Sequence, residues 1–441
     1  MKRKLYYKLC AWKARKQCPP LILKGARQVG KSYLLKQFGA HEFDNFYHFD
    51  FEKNHTELAP FFAKDLNVHK ILENLSFYVG KSIIPGKDLI IFDEIQNCPR
   101  ALSSLKYFNE DMPTLHICAA GSLLGIYLAN ESYPVGKVTH FELFPMSFEE
   151  FLWQSDSALL VEAFNAAIKK REMPEAAHNK CWEVLKEYYV IGGMPAAVNL
   201  WLGQKADKVN AMNSVREMQY ELIENYKADF KKHAGNLNAM HIITVFENIP
   251  KQLSRVLNGS LKRFYFKDVI PGKRRFIELE GPINWLEKAG LIYKVWPVSR
   301  IENPLTAFTK ANIFKLFCFD IGILGAMLNL SPGTIILQDY GITKGYFAEN
   351  YAATQLKACG IKELYSWQNR SYEIDYLLER DSRIIPVEIK AGTKKAIKSL
   401  KYLLSFSRTG QGLLLSADNL DFSGKDIINI PLYLAGKLDE L

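Results

Sequence analysis

From the start to about residue 150, short apolar runs alternate with segments whose apolar residues recur every three to four positions. The runs Leu21–Leu23, Phe46–Phe51, Asp88–Asp93, Leu115–Ala120 and Lys137–Glu142 predict strands. Lys31–Phe38, Leu66–Val79, Arg100–Asn109 and Leu123–Asn130 predict the helices between them. Apolar runs without alternation suit strands covered on both faces, so this region reads as an open parallel sheet flanked by helices. From about 150 to 235 the period is helical: Phe148–Trp153, Ala158–Lys170, Asn179–Tyr189 and Ala206–Phe230, with a turn at Ile191–Pro195. Residues 236–300 carry an apolar stripe over Met240–Val256, a helix Glu280–Ala289 closed by Gly290, and an alternating strand Leu291–Val298. Helices followed by a β-wing form a winged-helix pattern. Beyond 345 the order is helix Tyr346–Ala358, strands Glu363–Trp367, Tyr372–Glu379 and Arg383–Lys390, helix Lys395–Phe406 and strand Gly412–Ser416. The chain therefore predicts an α/β multidomain protein: 1–155 a parallel-sheet core, 156–235 a helical lid or linker, 236–335 a winged-helix-like domain and 336–441 an αβββαβ domain.

The loop after the first strand sharpens that picture. Gly25-Ala26-Arg27-Gln28-Val29-Gly30-Lys31-Ser32 fits G-x-x-x-x-G-K-[ST] between a strand and a helix. Glycines let backbone N–H groups curl around phosphate oxygens, Lys31 reaches the β- and γ-phosphates, and the Ser32 hydroxyl holds Mg²⁺. The apolar run Leu89–Phe92 ends in Asp93 and Glu94. Asp93 is placed to bind the Mg²⁺ shell and Glu94 to polarise an attacking water. Ser122, after the fourth strand, is placed to sense the γ-phosphate or to cap the next helix, and both roles are compatible. ATP and Mg²⁺ are the expected cofactors, and the activity expected is that of an ATPase of P-loop type.

A second constellation lies near the C-terminal end. Glu388 and Lys390 flank Ile389 on one strand and so point the same way. Asp375 sits on the preceding strand across the polar turn Arg380–Ser382, at a distance that sets it nearly opposite Glu388. Glu349 comes from the helix before. Carboxylates in such a set are ligands for Mg²⁺ or Mn²⁺, and Lys390 would orient a water toward a phosphodiester. Glu349, Asp375, Glu388 and Lys390, in this order of elements, resemble the PD-(D/E)xK nuclease superfamily. They also fit a nuclease-like fold that keeps its carboxylates for packing.

Charge and composition then narrow the classes. The 441 residues carry a net charge of +10, which is compatible with nucleic acid without requiring it. Lys262, Arg263, Lys267, Lys273, Arg274 and Arg275 make the segment before the Glu280 helix basic, so that the winged-helix pattern reads either as a DNA-facing module or as packing. The clusters Lys2–Lys4 and Lys231–Lys232 read as solvated faces. No apolar run is long enough to span a membrane, and the basic start has no signal-peptide core. Seven scattered cysteines without a C-x-x-C fit reduced thiols in a cytoplasm.

The whole chain resembles a prokaryotic AAA-type ATPase family whose C-terminal half is a domain of unknown function. The residues that carry the resemblance are Gly25–Ser32, Phe92–Gln96, Gly121-Ser122, Phe144–Phe151, Gly192–Pro195, Phe319–Gly322 and Val387–Lys390. It implies ATP binding and slow hydrolysis. At two positions the chain departs from the family: Ala120 stands where Thr is common, and Lys137 where Arg is expected. A lysine cannot grip a γ-phosphate bidentately; Arg100 is another candidate sensor, or simply the start of a helix. Many such ATPases complete their sites with a neighbour's arginine, so a homo-oligomer is compatible. Two functions follow. In one, ATP controls DNA binding or Mg²⁺-dependent DNA cleavage through the winged-helix and C-terminal domains. In the other, the C-terminal fold is an inactive scaffold in an ATP-driven protein-interaction switch.

Overall fold

The computed structural model describes residues 1–122, 124, 136–253, 263–341, 343–393, 397–407 and 409–441. Nearly all of the expected helix Leu123–Asn130, the end of the Met240–Val256 stripe, Lys262 and the start of the Lys395–Phe406 helix lie outside them. The chain divides into two compact units, Met1–Phe144 and Pro145–Leu441.

Among the described residues, the first unit holds five parallel strands in the order β2-β3-β4-β1-β5: β1 Leu21–Lys24, β2 Asn45–Asp50, β3 Asp88–Asp93, β4 His116–Ala120 and β5 Thr139–Glu142. Every residue of β3 and β4 is buried, as continuous apolar runs require. Helices Val68–Val79 and Pro99–Asp111 cover one face through Ile71, Leu75, Leu105 and Phe108, which pack with Ile90, Phe92 and Ile117. Sequence reasoning missed the helix Lys4–Lys13. The chain turns back past β1 to reach β5, and in sheets of this kind the loops at the carboxyl ends of the strands form the binding crevice.

In the second unit, helices Ala158–Lys170, Glu175–Ile191, Pro195–Gly203, Lys208–Ala234 and Asn236–Leu253 precede a seven-stranded mixed sheet. Its order is β12-β11-β10-β9-β8-β6-β7, with β6 Ile292–Val298, β7 Lys315–Cys318, β8 Leu364–Gln368, β9 Glu373–Arg380, β10 Arg383–Ile389, β11 Gly412–Ser416 and β12 Ile427–Pro431. The expected helix–strand order after 345 is present, from helix Thr343–Cys359 through β8, β9, β10 and helix Lys398–Phe406 to β11. The strand expected to form a wing is different in context. β6 pairs antiparallel with β7 and parallel with β8, so both its edges are taken and the sheet runs on across position 335.

Two motifs of the second unit meet in its interior. Asp320, 1% exposed, accepts from the backbone N–H of Gly193 at 2.7 Å and of Ile323 at 2.9 Å. Gly192 is at φ +72°, and a Cβ there would lie 2.4 Å from the Asp320 carboxylate. Arg216 donates to the Gly322 carbonyl and to Gln219, which donates to the carbonyls of Val190 and Ile191. This network ties Gly192–Pro195 to Phe319–Gly322, two segments more than a hundred residues apart.

Candidate functional site

The loop between β1 and helix Lys31–Glu42 is shaped by three residues of positive φ: Gly25 at 143°, Gln28 at 64° and Gly30 at 94°. A Cβ on Gly25 would sit 2.2 Å from the Leu143 carbonyl oxygen, so only glycine passes there. Gly30 caps the helix without a side chain, which leaves the first N–H groups of the helix for an anion. Lys31 is buried and folds over its own loop, its Nζ donating to the carbonyls of Gly25 at 2.9 Å and Ala26 at 2.8 Å. Burial lowers the Lys31 ammonium to about 8, against the pull of Glu94 and Asp93.

Asp93 and Glu94 end β3 beside this loop. Burial would push the Asp93 carboxyl up, but hydrogen bonds from His48 at 3.0 Å and from Ser32 hold it below its ordinary value. Ser32 and Asp93 are thus already partners. Glu94 adopts a left-handed conformation at φ 48°, a strained geometry for a residue with a side chain. Its carboxylate accepts from Gln96 Nε2 and from the Ser122 hydroxyl at 3.3 Å, and Arg27 Nε donates to Ser122 at 3.0 Å. The fold therefore gathers Arg27, Lys31, Ser32, Asp93, Glu94 and Ser122, which come from three separate stretches of sequence.

One finding departs from the sequence reading. Arg3, assigned to a solvated cluster, is 5% exposed and braces the loop: Nη1 donates to the Val29 carbonyl at 2.9 Å and Nη2 to Phe144 at 2.6 Å. Arg100 donates to the Phe62 carbonyl at 2.6 Å, and Lys137 pairs with Glu110 at 3.3 Å. His48 had no signal in sequence, because its meeting with Asp93 depends on the β2–β3 pairing.

In the second unit the β9–β10 hairpin turns through Asp381 at φ 47° and Ser382 at φ 65°, the paired positive angles of a two-residue turn. Its register runs from Arg383 opposite Arg380 to Val387 opposite Tyr376. The Asp375 carboxylate accepts from the Ile389 N–H at 2.7 Å. Glu388 pairs with Lys390 at 2.7 Å and accepts from the Leu400 N–H at 3.2 Å. The carboxylates that converge, with ligand atoms within 4.8 Å of one another, are those of Glu349, Glu373 and Asp375. The expected set of Glu349, Asp375 and Glu388 is thus altered, with Glu373 in the place of Glu388. Lys315 of β7 also enters, 2.6 Å from Glu373 and 3.5 Å from Glu349. Asp375, Glu349 and Glu388 are 8%, 7% and 3% exposed, while the side chains of Glu373 and Lys390 are 22% and 35% exposed, so the cluster reaches solvent through those two. Hard oxygen donors at this spacing fit Mg²⁺ or Mn²⁺. Glu373 had a usable signal, since it lies two residues before Asp375 and so on the same face; Lys315 had none.

Among the described residues no helix is long and apolar enough to cross a membrane. All seven cysteines are described and none forms a disulfide.

Comparison with known proteins bears on both units. Residues 17–152 match the AAA domain family, residues 183–334 a domain of unknown function (DUF8612) and residues 344–434 a second one (DUF4143). No curated protein matches the chain. A Walker-type ATPase of Pyrococcus abyssi is 16% identical, with 74% of this chain and 95% of that one covered, at a TM-score of 0.47. The Orc1 protein of Aeropyrum pernix, solved in complex with DNA, is 12% identical over 74% and 91% at 0.28, and Cdc6p of Pyrobaculum aerophilum 13% over 76% and 92% at 0.25. Residues 17–152 thus form an AAA domain, a parallel sheet carrying this loop and this Asp-Glu pair, and the chain is an ATPase.

Proposed function

We propose that ATP lies in the Gly25–Ser32 loop, that Glu94 activates the attacking water, and that the nucleotide state governs a C-terminal module that cuts or binds DNA. The single observation behind the DNA half is the convergence of Glu349, Glu373 and Asp375, from a helix and a strand, beside the Glu388–Lys390 pair.

In the ATP site, N–H groups from Arg27 to Lys31 cradle the phosphates, and Lys31 releases the Gly25 and Ala26 carbonyls to donate to phosphate oxygens. Ser32 and Asp93 would hold Mg²⁺, which supplies neutralisation of charge between the β- and γ-phosphates. Glu94 accepts the proton of the water, and Ser122 and Arg27 sit where a γ-phosphate can be read. A second copy of the chain offering an arginine to that phosphate fits this scheme. The exchange of Lys31 partners predicts a pH effect. The free ammonium titrates at about 8, and only the charged form binds phosphate well. Nucleotide affinity is expected to hold steady between pH 6.5 and 7.5 and to fall above pH 8, by up to about tenfold per unit. Calorimetric ADP titrations across that range check this.

In the C-terminal module, Glu349, Glu373 and Asp375 would hold Mg²⁺ or Mn²⁺, which supplies Lewis-acid activation of a phosphodiester. Lys390, on the solvent side of Glu388, orients the water. Arg263, Lys267, Arg274 and Arg275 are exposed beside helix Phe276–Lys288 and would meet the DNA backbone. Cleavage of supercoiled DNA in Mg²⁺ or Mn²⁺, with and without ATP, tests the reading. Asp375→Ala is expected to cut about 100-fold more slowly or worse. Absence of cleavage by every form would overturn it.

One observation favours the second reading. The Lys315 ammonium stands between Glu349 and Glu373, where a cation would bind. A cluster neutralised in this way suits a protein-binding scaffold, which predicts no salt-dependent DNA affinity.

A further inference from the structure

A cleft of about 970 Å³ opens in the C-terminal unit. Arg380, Arg383, Ile385, Leu413 and Ile428 line it from the sheet. The registers Arg383–Arg380, Ile385–Leu378, Leu413–Val387 and Leu413–Ile428 show that these residues share one face. Glu388, which is paired with Leu414, is out of phase with them by one residue and belongs to the opposite face, and none of Glu349, Glu373 and Asp375 lines the cleft. The cleft is therefore separate from the carboxylate cluster. The end of helix Ala158–Lys170 adds Lys169 and Arg171.

The charge in the cleft is poorly neutralised. Lys169, Arg171 and Arg383 are exposed, and among the described residues none of them is in an ion pair. Arg171 lies over the Phe422 ring at 5.3 Å, which orients its guanidinium without cancelling its charge. Arg380 meets one acid, Asp381, at 3.8 Å, and that side chain is 90% exposed; Arg380 Nη1 has no hydrogen-bond partner. Glu440 is engaged by Lys437 at 2.7 Å. Arg380 and Arg383 also face each other directly across two strands. Like charges in that position destabilise a hairpin. Cations set around a concave surface focus a positive potential into it, and guanidinium groups match phosphate oxygens in pairs.

We propose that this cleft binds a small anion bearing two or more phosphates, at a site distinct from the Gly25–Ser32 loop and from the carboxylates. The volume lies at the upper end of the range for small-molecule pockets, about 300–1,000 Å³. A groove for a nucleic-acid strand would instead continue as a basic stripe.

The probe is inorganic tripolyphosphate, titrated calorimetrically into Lys31→Ala protein in Mg²⁺-free buffer, where the nucleotide loop is disabled. One saturable site is expected, weakened about tenfold by adding Arg383→Ala and by a similar factor with Arg171→Ala. Both side chains are exposed, so either variant is expected to fold. Three results would overturn the proposal: no saturable binding up to on the order of 1 mM, affinity unchanged by both substitutions, or complete displacement of tripolyphosphate by a short oligothymidylate, which would make the cleft part of a nucleic-acid surface.

Discussion

Replacing Lys31 with alanine is expected to lower ATP affinity by about 100-fold and to remove hydrolysis. The ammonium makes charge-assisted contacts with two phosphates, each worth about 1.5–3 kcal/mol, and no neighbouring cation can take its place without moving the loop. Folding should be little affected. Lys31 is a buried cation with its level lowered to about 8 by desolvation, so its removal relieves a cost that offsets the loss of the bonds to Gly25 and Ala26. Urea unfolding without nucleotide and ADP titration separate the two effects. The prediction is an unchanged midpoint with lost binding.

Asp320→Ala is expected to do the reverse. The carboxylate accepts two buried N–H groups and faces the buried Arg216. Its removal orphans both donors and leaves a guanidinium uncompensated, a loss of about 3–5 kcal/mol. The sign of the pH effect follows from burial, which raises the Asp320 carboxyl to about 6. A carboxyl raised in the folded state contributes stability that is full below its unfolded value and is lost as pH rises through about 6. Wild-type stability should therefore decline between about pH 4 and pH 6 more steeply than that of Asp320→Asn. Urea midpoints at pH 4, 5, 6 and 7 check the slope. The Gly192 and Gly193 backbone belongs to the same network, since a side chain on Gly192 would strike the carboxylate.

What the sequence made legible was local. The phosphate loop is a contiguous string with a strand before it and a helix after it, and its elements fall where the pattern placed them. β3 was readable because all six of its residues are buried, and the αβββαβ order because its strands are short apolar runs separated by a polar turn. What remained hidden depends on pairing between distant segments. β7 is four residues long and fully buried, too short to show a period, and it carries Lys315 into the carboxylates. Arg3 looks like any lysine-flanked arginine until the helix Lys4–Lys13 sets it against the Val29 carbonyl. The wing strand showed the right alternation, but nothing in its own residues tells that β8 pairs with its second edge.

Glu94 is proposed to activate water in a site that binds ATP without its help. Phosphate release under saturating Mg-ATP, measured beside ATP affinity for wild type and Glu94→Gln, tests it most directly. Hydrolysis by Glu94→Gln is expected to fall about 100-fold or more, with affinity changed by less than about threefold. Hydrolysis by Glu94→Gln at the wild-type rate would contradict it.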